Sequence, residues 1–161
     1  MATLTYIKGD VTEPQGGGVK VIPHVCNDIG AFGAGVSGAI GKQFPEAENN
    51  YRDRHWYRLG EVDFVKTDQG IIIANMVAQH GIRPTAIPND PTERAPIRYY
   101  ALAECMEEVR AFCYADGKPW CSIHAPRFGA GLAGANWETV EALILEIWVD
   151  SGIEVTVYDL P

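Results

Sequence analysis

Two glycine-rich segments, Gly30-Ala31-Phe32-Gly33-Ala34-Gly35-Val36 and Phe128-Gly129-Ala130-Gly131-Leu132, constrain this chain more than any other feature. Each follows a run of branched apolar residues that reads as a strand and precedes a stretch with helical spacing, which requires an α/β arrangement. Without a Cβ the backbone approaches a ligand closely and presents successive N–H groups, and a following helix N-terminus adds partial positive charge toward a phosphate. A pyrophosphate lying between the two loops suits this pattern. The alternative is that each loop is only a tight connection; recurrence of the same context at two places favours the ligand. Neither segment is a Walker loop, because no Gly-Lys-Ser/Thr follows, and neither carries a full dinucleotide fingerprint with its downstream acid.

Around these loops the pattern is regular. Residues 4–8 and 19–26 read as strands, the first closed by Gly9-Asp10. The stretch 36–57 is helical on both sides of Pro45, giving two short helices. Residues 62–66 and 71–77 flank Thr67-Asp68-Gln69-Gly70 as an antiparallel hairpin, and the weak polar alternation of the second predicts a strand covered on both faces. A long connection, 78–95, carries Pro84, Pro88 and Pro91. Pro96 opens a helix to about Asp116 that Gly117 stops, residues 120–125 form a strand, Asn136 caps a helix ending at Ser151-Gly152, and residues 153–160 form the last strand. The order β-β-α-α-β-β-α-β-α-β predicts an α/β fold with a six-stranded mixed sheet and helices on both faces.

At 161 residues the chain fits one domain, 1–161, because two would each be short of core. A formal net charge of −8 argues against non-specific binding of nucleic acid or anionic lipid. No apolar run is long enough to span a bilayer, the N-terminus lacks a basic and apolar leader, and Cys26, Cys105, Cys113 and Cys121 form no CxxC pair, so free thiols and a cytoplasmic location are expected.

Candidate binding groups cluster beside the loops. The loops hold no lysine and only Arg127, so a phosphate there would meet backbone dipoles. Asp10, just after a strand, suits an exocyclic amine or else closes a turn. Tyr158 either borders a flat ring or is a core aromatic. His24, Cys26, Asn27 and Asp28 enter the first loop together. A His-x-Cys pair without a second pair makes zinc a poor reading, and no metal or cofactor is expected. Asn27 suits ribose hydroxyls, and Asp28 suits orienting a water or acting as base. Asp28 in a turn and His24 satisfied within the protein are the structural alternatives. Arg52, Arg54, His55 and Arg58 read as a solvated helix face balanced by nearby acids.

With these pieces placed, the sequence resembles the macrodomain family over nearly its whole length. The resemblance is carried by Lys8-Gly9-Asp10-Val11, His24-Val25-Cys26-Asn27, Gly33-Ala34-Gly35-Val36, Pro126-Arg127-Phe128-Gly129-Ala130-Gly131-Leu132, Trp137-Glu138 and Val155-Thr156-Val157-Tyr158. Its Pro-Arg-x-Gly-x-Gly-Leu and His-x-Cys-Asn patterns are similar to the branch with the terminal ADP-ribose protein glycohydrolase and the yeast ADP-ribose-1″-phosphate phosphatase. The resemblance implies a three-layer α/β/α fold and ADP-ribose, free or on a macromolecule, as ligand. It further implies that Asp10 and Val11 meet adenine, that Gly33, Ala34, Gly35, Val36, Gly129, Ala130, Gly131 and Leu132 enclose diphosphate and distal ribose, and that Asn27 faces that ribose. In the glycohydrolase an aspartate follows the Gly-Leu pair and a lysine lies beyond the fourth strand; here Ala133 stands at the first and residues 74–80 hold no lysine. The implied chemistry is hydrolysis of an ADP-ribosyl linkage by a bound water, with Asp28, His24, Gln79 and His80 as candidates to orient it. A non-enzymatic ADP-ribose reader and an ADP-ribose-1″-phosphate phosphatase are the alternatives.

Overall fold

The computed structural model describes residues 1–54, 57–82, 95–131 and 133–161. In chain order the elements are β1 (Leu4–Lys8), β2 (Val19–Asn27), α1 (Gly35–Gln43), α2 (Pro45–Arg52), β3 (Val62–Lys66), β4 (Ile72–Gln79), α3 (Tyr99–Phe112), β5 (Tyr114–Ala115), β6 (Lys118–Pro119), β7 (Cys121–Ala125), α4 (Trp137–Leu143) and β8 (Val155–Asp159). The main sheet has six strands in the order β1-β8-β7-β2-β4-β3. Only β3 runs antiparallel, against β4, as the hairpin around Asp68 and Gly70 predicts.

The sheet separates two cores. Alternation along β2 and β4 sends Val21, Ile72, Ala74 and Met76 to one face, where they meet Leu102, Cys105, Met106 and Val109 of α3 and Val140 of α4. Ile22 and Ile73 point to the other face, against Ile40 and Phe44 at the α1–α2 junction and Ala47 of α2. Seven of the eight residues of β4 are buried, so this strand is covered on both sides. The outcome is the expected three-layer α/β/α arrangement.

Both ends of α3 differ from the sequence reading, for tertiary and turn reasons. The helix expected from Pro96 begins only at Tyr99, because Ile97 bridges Gln79 and Arg98 N–H donates to Ala78 O at 2.9 Å, holding 96–98 extended along β4. That helix ends at Phe112 and not near Asp116. Asp116 and Gly117, with φ of 54° and 77°, instead form the two-residue turn of the β5–β6 hairpin, a role that the Asp-Gly dipeptide announces. Helix α2 likewise stops at Arg52, and His55 and Trp56, like the prolines at 84, 88 and 91, lie outside the described residues.

Candidate functional site

The parallel strands end together at Lys8, Asn27, Gln79, Ala125 and Asp159. Strands β2 and β7 are neighbours, yet β2 leads to α1 on one face of the sheet while β7 leads to α4 on the other. Successive connections leaving in opposite directions open a crevice at the carboxyl ends of the strands, the usual ligand position in open α/β sheets. The two glycine-rich loops form its rims.

The first rim is built by Asn27. Its Oδ1 accepts from the N–H groups of Ile29 and Ala31, both at 3.1 Å, and its Nδ2 donates to Ala31 O at 2.7 Å. Tyr51 Oη reaches Asn27 Oδ1 at 2.8 Å and takes the Gly30 N–H at 3.2 Å. Asn27, expected to face a ribose, therefore uses most of its amide to shape residues 28–31. Arg52 donates to Phe32 O at 2.6 Å while paired with Glu48, so it braces this loop and is more than part of a solvated face. Tyr51 carried no signal in the sequence and Arg52 read only as part of a solvated basic face, because their partners lie some twenty residues away. Beyond Phe32, Gly33, Ala34 and Gly35 are exposed, and Ala34 offers no side-chain cap to α1. Among the described residues, the first amides of α1 thus face the crevice end without a side-chain partner. Gly38 lets the helix sit this close: a Cβ there would be 2.7 Å from Gly33 O.

The second rim differs. Helix α4 starts only at Trp137, and Asn136 Oδ1 already accepts from Thr139 N–H at 3.2 Å. A helix thus follows each loop, as expected, but here the expected Asn136 cap already takes one of the first helical amides. Gly129 and Ala130 are half-buried and Gly131 is exposed; Leu132 lies outside the described residues. Ala133, buried, accepts from Ile97 N–H through its carbonyl at 3.0 Å.

Three of the four groups expected to orient a water meet at one place, the ends of β2 and β4. Asp28 Oδ2 lies 2.8 Å from His80 Nδ1, and Asp28 Oδ1 accepts from Gly81 N–H at 2.8 Å. Burial opposes ionisation of Asp28, but the Gly81 N–H and the His80 ring prevail and hold its carboxyl below the usual range. The His80 side chain is 63% exposed, and among the described residues Nε2 has no hydrogen-bond partner. Gln79 is next to it, its Nε2 donating to Gly81 O at 2.8 Å.

The fourth group is elsewhere. His24 is fully buried, its Nδ1 2.9 Å from Ser37 Oγ and its Nε2 against Asn75 Oδ1. Both nitrogens are occupied, so the expected role in orienting a water is corrected to tying α1 to the sheet. Tyr158 is likewise a core residue and not the border of a flat ring. It is 5% exposed, and its hydroxyl bonds His124 Nδ1 at 2.7 Å and takes the Gln15 N–H at 2.9 Å. Asp10 is exposed at the end of β1, with Oδ1 accepting from Thr12 N–H and hydroxyl at 2.9 and 2.7 Å, which leaves Oδ2 for a ligand. Val11 is buried beneath it. A hollow lined by Arg54, Gly60, Glu61, Val62 and Glu108 sits on the β3 edge and is crossed by the Arg54–Glu61 ion pair.

The buried imidazoles give a testable pH dependence. Burial pushes His24 down to about 4, against the opposing hydrogen bond to Asn75, and burial together with Lys20 pushes His124 down to about 4. Unfolded, each takes a proton near 6.5, so between those values the unfolded chain holds more protons and stability falls as pH drops. Urea midpoints are expected to be flat above pH 7 and to fall steeply from pH 6.5 to 4, by about 3 kcal/mol per histidine at most. A midpoint unchanged at pH 4.5 would contradict the neutral buried state.

No protein-family model matches the chain. It is 39% identical over 165 residues to an ADP-ribose 1″-phosphate phosphatase of Meyerozyma guilliermondii, covering 89% of this chain and 93% of that protein. It is 29% identical over 161 residues to an ADP-ribose glycohydrolase of Bos taurus, covering 98% and 91%. Among solved structures, a macrodomain protein from Streptomyces coelicolor matches with a TM-score of 0.78 at 35% identity, over 99% of this chain and 100% of that one.

Proposed function

The chain belongs to the macrodomain family, and from that premise we propose that it binds ADP-ribose in the crevice and hydrolyses an ADP-ribosyl linkage with a bound water. The relatives named as a phosphatase and a glycohydrolase of ADP-ribose derivatives support the substrate class. The observation that carries the chemistry is the Asp28–His80 pair at the crevice mouth. With Nδ1–H donated to the Asp28 carboxylate, the neutral ring presents the Nε2 lone pair outward, the arrangement of an imidazole that takes a proton from water. Asp28, held ionised, then stabilises the imidazolium. The diphosphate rests on the unpartnered amides of α1 and on the backbone at Gly129 and Gly131, while Ala130, its N–H held by Arg127 O, keeps the loop in shape, which fixes the anomeric carbon relative to the water.

Four of the five lysine positions support water over a protein nucleophile, and the fifth, Lys8, stands at the Asp10 end, the adenine side in this reading. Of the five lysines, Lys20, Lys66 and Lys118 stand at the far ends of β2, β3 and the β5–β6 hairpin, Lys42 lies in the last turn of α1, and Lys8 ends β1. Borohydride added during turnover is therefore expected to trap no covalent adduct; an adduct visible by mass spectrometry would overturn the water mechanism. Incubation with mono-ADP-ribosylated protein, ADP-ribosylated DNA and ADP-ribose-1″-phosphate in parallel tests the activity, and the 39% identity to a phosphatase makes the last substrate a necessary arm. Binding of ADP-ribose without release from any of the three would make the protein a reader.

At the adenine end, Asp10→Ala is expected to weaken ADP-ribose about ten- to hundredfold, as for a lost hydrogen bond to a charged group, and ribose 5-phosphate much less. Equal losses by titration calorimetry would remove Asp10 from adenine recognition.

A further inference from the structure

Resting on the reading of the crevice as an ADP-ribose site, we propose that Arg127 and Asp159 are a positioning pair that sets the distance between the Asp10 end of the crevice and the second glycine loop. Asp159, the last residue of β8, works in two directions. Its carbonyl accepts from Gly9 N–H at 2.8 Å, which holds the turn that carries Asp10. Its carboxylate takes Arg127 in a two-pronged pair, Nε to Oδ1 at 2.7 Å and Nη2 to Oδ2 at 3.1 Å. Arg127 in turn begins the second loop, its own carbonyl accepting from Ala130 N–H at 3.3 Å. One residue therefore joins the two walls that a ligand with adenine at one end and a ribose at the other would span.

The guanidinium also packs against two rings. It lies 5.1 Å from the ring centres of both Tyr6, on β1, and Trp137, at the start of α4. The rings are fixed to each other, Trp137 Nε1–H donating to Tyr6 Oη at 3.0 Å, and Tyr6 Oη also meets Glu141. The next residue, Phe128, is buried against Trp137 and Trp148. The chain is thus held at two successive residues immediately before Gly129. Arg127, the one cation of this loop, is directed to Asp159 and two rings, which leaves phosphate to the backbone.

The Arg127 and Asp159 side chains are 42% and 35% exposed, so the ion pair adds little to stability by itself. What it supplies is orientation, because a planar fork on a carboxylate holds one geometry where a lysine would not. Fixing two subsites at the right separation raises affinity for a ligand that bridges them and does nothing for a ligand that fills one. That difference separates a positioning role from a merely structural one.

The test is titration calorimetry of ADP-ribose, AMP and ribose 5-phosphate against the wild type, Arg127→Ala, Arg127→Lys and Asp159→Asn. Arg127→Ala and Asp159→Asn are expected to weaken ADP-ribose about tenfold, with AMP and ribose 5-phosphate within about twofold, Arg127→Lys in between, and the double variant no worse than either single one. ADP-ribose affinity within twofold of wild type in both single variants, or equal weakening of all three ligands, would overturn the pair's role while the ADP-ribose reading stands. A wild-type protein that binds none of the three would overturn both.

Discussion

Replacing Gly35 with glutamate is expected to abolish ADP-ribose binding in a chain that still folds. Gly35 is the first residue of α1, at a φ of +56°, and a Cβ built there meets nothing within 4 Å. The new side chain therefore has room, and the direct cost is that of a left-handed residue, about 1 to 2 kcal/mol. The room it takes is the space in front of the unpartnered α1 amides, and it brings a negative charge where the diphosphate would lie. From an affinity of micromolar order, roughly −8 kcal/mol, a loss of more than a hundredfold takes binding beyond the range of calorimetry at usual concentrations. Gly35→Ala separates the causes, since it carries the same backbone strain without bulk or charge and is expected to lose far less. A folded Gly35→Glu protein, checked by circular dichroism, that keeps its affinity would show that this loop does not hold the phosphates.

The second large effect is on turnover. His80→Ala and Asp28→Ala are each expected to lower kcat by about a hundred- to ten-thousandfold, the usual contribution of a positioned base, while the dissociation constant of ADP-ribose stays within a few-fold. The two substitutions together are expected to cost little more than one, because the carboxylate acts through the imidazole. If turnover falls only in proportion to affinity, the pair is a ground-state contact and the water is held by the diphosphate or by Gln79. His24→Ala belongs to a different class. It leaves Ser37 and Asn75 without their buried partner, so its expected signature is a lower melting temperature before any change in kcat.

Much of this architecture was legible from local pattern. Branched apolar runs ending in glycine loops located the strands of the sheet, and the Asp68–Gly70 hairpin gave β3 its direction, because alternation and turn chemistry act over a few residues. The glycines at 33 and 35 announced themselves for the same reason, since backbone conformation is a local property. Asp116-Gly117 was equally local, yet the helical spacing before it drew the expected helix past its true end at Phe112.

What the chain's own order of residues determined, then, was the element sequence, the covered central strand and the two loops that rim the crevice. Tertiary structure decided which polar side chains face that crevice. His24 and Asp28 lie four residues apart, yet one is sealed against Asn75 and the other opens onto His80, because the strand shifts register after Cys26 and ends between them. Tyr158 went to the core, Asn27 to its own loop, and Arg127 to Asp159, each by a partner distant in sequence or by a turn closed around it. A polar group takes the partner that burial leaves within reach, and that choice is made only when separate elements pack.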